Sequence, residues 1–294
     1  MLGTEFVNTY AHLGIAAWEA AAVELAGQSG LVAWPWVNLP LADDQGNTAV
    51  LQVQSDVLAV GSPEDYVRLP LLPSTAQTIA NMTGTILPTP WIAYQIWRAS
   101  HAKCEPHPLA PNLGPNLTQY AQHSDAIDKQ LEALGADHGT PVAGIKKHVV
   151  VSNLMLPHHV VIFGWYRPSP PALDVFDDGT RIPTDDRQRQ PIQPRSNLHG
   201  ADYVDYSHGI QLVAGTCTVN GQTMSTADLY QHPTLSRLVS NEGALRTPRY
   251  ASPVPPAPDG GSQNDAFGPA FVAATPGPGE AAFTVSGARR GRNW

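Results

Sequence analysis

Lys146-Lys147-His148-Val149-Val150-Val151 and, a short polar stretch later, Val160-Val161-Ile162-Phe163 decide the fold class. Each apolar run is short, β-branched and bounded by polar residues or Pro157, which suits a buried strand and is too brief for a packed helix. Ile210 to Val213 repeats the pattern. Cys217-Thr218-Val219 and Gln222-Thr223-Met224 flank Asn220-Gly221, the dipeptide that closes a tight antiparallel hairpin. From Val142 to Met224 the chain therefore reads as β, and mainly antiparallel.

Upstream the pattern is helical. Residues 5–26 place Phe6, Tyr10, Leu13, Trp18 and Leu25 among alanines and read as one helix stopped by Gly27. Ser74 or Thr75 is the expected cap of a helix to Thr83. Thr89-Pro90 opens another over residues 91–100, and residues 117–134 form a third ended by Gly135. Between them Trp34-Pro35-Trp36 is extended. Leu51 and Val53 alternate with Gln52 and Gln54 as a half-buried strand running on to Val60. Ser225 to Asp228 has capping-box spacing and starts a short helix. The expected class is α+β: N-terminal helices, a mainly antiparallel β core and an extended Pro/Gly-rich C-terminal tail. Residues 1–250 are expected as a single α+β domain, with a helical part at 5–135 and a β part at 142–224. Residues 251–294 form the tail, where Phe267, Phe271, Phe283 and Trp294 would anchor singly to the body or to another copy, giving self-association.

Composition bounds the function. Charged residues are 14% of 294, prolines number 28 and the net charge is −8. That charge argues against nucleic acid as a partner, since phosphate neutralisation needs basic clusters. No apolar run is long enough to span a membrane. Two cysteines, Cys104 and Cys217, leave one disulfide or two buried thiols open and exclude a Cys-rich zinc site. Gly3-Thr4-Glu5-Phe6 is what two adjacent common cloning sites would encode. One expectation is therefore a secreted or cell-envelope protein whose native leader has been removed, and the other is a natural start.

The densest chemistry lies between His199 and Gly209, which holds two histidines, two aspartates, two tyrosines and a serine. His199 or His208 would act as general base, Asp205 or Asp202 would orient it, and Ser207 would be the nucleophile. In a strand Ser207 and His208 point to opposite faces, so His199 from the preceding loop would serve Ser207. A polar network closing a strand-to-loop junction is the structural alternative. Lys147 at a strand end, Trp165 just beyond another, and Tyr203 and Tyr206 are candidate substrate-binding residues. No metal is expected; if zinc were bound, His148, His199, Asp205 and His208 would be its ligands. The polar stretch from Pro168 to Pro194, with Asp174, Asp177, Asp178, Asp185 and Asp186, would be a lid over the site or a surface excursion.

His199-Gly200 followed by Ser207-His208-Gly209-Ile210-Gln211-Leu212 resembles the signature of the YkuD-type L,D-transpeptidases, which build or edit peptidoglycan cross-links. Ile210 stands where that family has its cysteine, Gln211 where it has an arginine, and the histidines are closer together. The resemblance thus implies a similar His-bearing β framework without a thioester. The Asp205-Tyr206-Ser207-His208-Gly209 run is also similar to bacterial proteins with no assigned mechanism. The expected function is hydrolysis of an amide, ester or glycosidic bond in a polymeric or cell-wall-like substrate, or in a small molecule, by the His/Asp/Ser cluster. The alternatives are a non-catalytic binding or assembly protein and a zinc-dependent hydrolase.

Overall fold

The computed structural model describes residues 1–109, 115–168 and 191–257. The chain opens with α1 (Gly3–Tyr10) and α2 (Ile15–Gly27), not the single helix expected over residues 5–26. The break falls at Gly14, which is extended and precedes the first turn of α2. Alanine-rich sequence favours helix throughout, but docking overrides it here. Phe6 and Val7 of α1 pack towards the hairpin of β3 (Ala59–Ser62) and β4 (Asp65–Arg68), whereas α2 packs on α3 (Pro73–Met82).

Strands β1 (Trp36–Ala42) and β2 (Thr48–Gln54) pair antiparallel. Their turn is closed by Asp43, which accepts from the backbone N–H of Gln45 and Asn47. Helix α3 starts at Pro73 after Leu72, without the Ser74 or Thr75 side-chain cap. Glu19 of α2 does that work instead: it accepts from Leu72 N–H at 2.7 Å and from the Thr75 hydroxyl. After β5 (Thr85–Ile86), α4 (Pro90–Ala99) follows Thr89, whose Oγ1 accepts from Ile92 N–H at 3.1 Å, as the Thr-Pro pair predicts. Then come β6 (Ala102–Lys103), α5 (Leu117–Ala133), β7 (Val142–Ala143), β8 (Lys147–Val149), β9 (Ile162–Tyr166), β10 (Pro191–Ser196), β11 (His208–Gly209) and β12 (Val213–Ala214). The hairpin of β13 (Thr216–Val219) and β14 (Gln222–Ser225) turns at Asn220-Gly221, both with positive φ (49° and 80°), and leads into α6 (Thr226–Gln231).

The architecture is α+β with mainly antiparallel sheets. The larger sheet runs β14-β13-β2-β12-β5, with β1 also on β2. An N-terminal strand thus lies in the middle of a sheet completed by C-terminal ones. The smaller sheet runs β10-β9-β8-β11 and is antiparallel except for the β8–β11 pair. Val53, Ile86, Val213, Ile79 and Leu229 belong to the main core, while Tyr94 and Trp97 of α4 pack with Val161 and Phe163 in a second cluster. Cys104 and Cys217 are free buried thiols.

Residues after 250 begin as part of the body. Asn81 Nδ2 donates to Val254 O at 2.6 Å and Ala257 N–H donates to Asn81 O at 3.0 Å, holding this segment on α3. Phe267, Phe271, Phe283 and Trp294, and the aspartates from Asp174 to Asp186, lie outside the described residues. No helix among the described residues is long and apolar enough to cross a membrane.

Candidate active site

The smaller sheet positions the candidate residues. Lys147 on β8 is in register with His208 on β11 and with Gly164 on β9. Partners across a sheet share a face, so Lys147 and His208 stand side by side and Gly164 adds no side chain to that row. Alternation would send the next residue, Trp165, to the opposite face. Instead Gly164 and Trp165 have φ of 109° and 59°, the second a conformation that bulky residues rarely adopt. That twist brings the indole under Lys147, whose Nζ lies 5.5 Å above the ring centroid. Strain held at such a position needs a surrounding structure that enforces it.

The loop before β11 is organised by Asp205. Its Oδ1 accepts from Ser207 N–H at 2.7 Å and from the Ser207 hydroxyl, and its Oδ2 accepts from Tyr203 O–H at 2.9 Å. The Tyr203 ring stacks on His199 (3.9 Å between centroids, 11° between planes) and meets His208 edge-on at 5.7 Å. His199, Tyr203, Asp205 and His208 are therefore brought together. Ser207 is wholly buried with its hydroxyl committed to Asp205, and no hydrogen bond joins it to either histidine among the described residues.

His208 has no exposed surface, and neither ring nitrogen has a hydrogen-bond partner among the described residues. Burial pushes its imidazole down to about 4; Lys147, His199 and Lys146 add to the effect and Asp205 opposes it. The ring is therefore neutral at neutral pH. Burial would raise the Asp205 carboxyl, but His208, Ser207 and Lys147 together bring it to about 2. Because His208 is neutral above about pH 4, Ser207 and Lys147 are the partners that act near neutrality. Burial and Asp205 raise Tyr203 to about 12, so it remains a donor.

Two buried groups lie beside the candidate residues without being among them. Lys146 is almost wholly buried, lies against Gly209, and donates its ammonium hydrogen to the Tyr206 carbonyl. Burial, with Arg68, brings this amine down to about 7 against the pull of Asp205 and Asp56. Adjacent lysines on a strand face opposite ways, but the sequence does not say which one faces inward. His123 of α5 is also buried, edge-on to Tyr206 at 5.0 Å and to Trp165 at 6.1 Å, and burial holds its imidazole far below the usual range. Tyr206 is tied down by Leu109 N–H, which donates to its hydroxyl at 2.9 Å.

Beyond Lys146 lies an ionic cluster that no local motif announces. Arg68 Nη2 meets Asp56 Oδ2 at 2.6 Å and its Nη1 meets Asp128 Oδ1 at 2.7 Å. Tyr66 O–H donates to the same Asp128 oxygen.

The zinc ligand set is divided by the strand. His148 is in register with Gly209 and alternates away from Lys147 and His208. Among the described residues no three His, Cys, Asp or Glu side chains gather so as to hold a metal ion. No protein-family model, curated protein or solved structure matches the chain.

Proposed function

We propose that the chain is a hydrolase in which His208 is the general base, Asp205 supports the imidazolium that forms, and water is the nucleophile. One observation carries this reading: a wholly buried imidazole with both nitrogens unpartnered among the described residues, beside a carboxylate. Buried polar atoms ordinarily have partners, and an exception calls for an absent water, ion or ligand. His208 is neutral at neutral pH, the form a base requires. As a weaker base than ordinary histidine it depends on Asp205 for the charged form. Ser207, held by Asp205, positions that carboxylate rather than attacking.

The resemblance of His199-Gly200 and Ser207-His208-Gly209 to the L,D-transpeptidase signature supports a polymeric, cell-wall-like substrate with an amide, ester or glycosidic bond. Ile210, wholly buried where that family has cysteine, leaves hydrolysis by water rather than acyl transfer through sulfur. The full engagement of Asp205 by Ser207 and Tyr203 favours a second reading, a polar junction in a binding or assembly protein.

Profiling the purified protein against ester, peptide and glycan panels separates the two. His208→Ala should lower any turnover by about 10²–10⁴ with the fold retained, since a base contributes that much. Ser207→Ala should retain most of it. Absence of turnover on every panel, or an active His208→Ala, removes the hydrolase reading.

A further inference from the structure

We infer that the site takes a substrate bearing a carboxylate, held by Lys147 on the Trp165 side of His208. What becomes of that substrate rests on the hydrolase reading; its binding does not. Lys147 is half-buried; its ammonium makes no hydrogen bond or ion pair among the described residues, lies over the indole and acts on Asp205 and His208 only through space. A cation fixed on an aromatic ring keeps its remaining donors for something else. Trp165 is almost wholly buried, and its Nε1–H has no partner either. Lysine ammonium and indole N–H are donors only, so both call for an acceptor. The left-handed backbone at Trp165, which places the indole beside Lys147, is the kind of strain that marks binding sites.

Charge points the same way. The chain carries −8 overall and contains four lysines, of which Lys147 is the one on this face; Lys146 is buried against Gly209 and committed to the Tyr206 carbonyl. Asp205 is the carboxylate acting on His208, and its oxygens are already engaged by Ser207 and Tyr203. A half-buried ammonium in a chain of net charge −8 attracts anions locally. One ammonium and one N–H match the two oxygens of a carboxylate. Phosphate, with more oxygens to satisfy, is ordinarily held by a larger set of donors, in which a lysine is joined by several backbone N–H groups or arginine forks.

The test is a titration followed through the indole Nε1–H nuclear magnetic resonances, with the Trp165 signal identified by its loss in Trp165→Phe. N-acetylglycine should shift that signal saturably below about 50 mM. Lys147→Met, which keeps the apolar stem, should weaken binding about tenfold or more, and Lys147→Arg should restore part of it. Neutral N-acetylglycinamide should not saturate. The inference is overturned if N-acetylglycine fails to saturate, if the amide binds equally well, if inorganic phosphate binds more tightly, or if Lys147→Met matches the parent. Binding as expected without turnover of any panel substrate would sink the hydrolase reading and leave this one standing.

Discussion

Acid should destabilise this fold steeply, and two buried histidines set the window. His148 and His208 are each pushed by burial from 6.5 down to about 4. In the unfolded chain both take a proton near 6.5. Between these values the unfolded chain binds more protons than the folded one, so stability falls as the pH drops from 6.5 towards 4 and levels off below. At about 1.4 kcal/mol per pH unit and per group, each histidine costs about 3–4 kcal/mol over the window and the pair about 7 kcal/mol. Against a typical total of about 5–15 kcal/mol that is a large share. His123, held down by burial, acts in the same direction. Glu19 acts in the opposite one, because burial raises its carboxyl against the hydrogen bonds from Leu72 and Thr75. Urea unfolding followed by circular dichroism at steps from pH 7 to about 4.5 measures the slope. His208→Leu should remove about 1.4 kcal/mol per pH unit from it. A stability that stays flat across the window, or a slope unchanged in His208→Leu, would refute the assignment of neutral buried imidazoles.

Two further changes test the framework. Arg68→Met leaves Asp56 and Asp128 buried without their cation and should cost about 3–5 kcal/mol, lowering Tm by roughly 10 °C in a thermal scan; a loss under about 1 kcal/mol would show that the cluster is not needed. Thr89→Ala removes both the cap on α4 and the hydroxyl donated to the Val239 carbonyl, for about 2–3 kcal/mol in urea, while Thr89→Ser should stay within about 1 kcal/mol of the parent.

Features were legible in the sequence where a residue's partner lies a few positions away. Thr89 caps the turn that its own proline begins, Asn220-Gly221 closes its own hairpin, and Ser225 accepts from Asp228 N–H. The gathering of His199, Tyr203, Asp205 and His208 is of this kind, since one aspartate folds the loop onto itself. Legibility failed where the partner is distant. Glu19 caps a helix more than fifty residues downstream, and Arg68 draws its carboxylates from Asp56 and Asp128. The break between α1 and α2 is invisible to helix propensity because tertiary docking imposes it. The place of Lys147 at a strand end marks it as a candidate, but its contact with Trp165 depends on a backbone twist that residue types alone do not signal.

The place of β2 in the larger sheet has a consequence during synthesis. Val53 pairs with Val213, and Val50 with Thr218, so the strand's partners on that side are made about 160 residues after it. At about 5–20 residues per second the ribosome needs roughly 10–30 s to supply them. Through that interval the apolar side chains of Leu51 and Val53, wholly buried in the finished fold, have only the β1 hairpin and the early helices for cover. A nascent chain stalled before residue 213 therefore displays an unfinished sheet edge, the kind of surface that holding chaperones recognise and that pairs with other stalled copies.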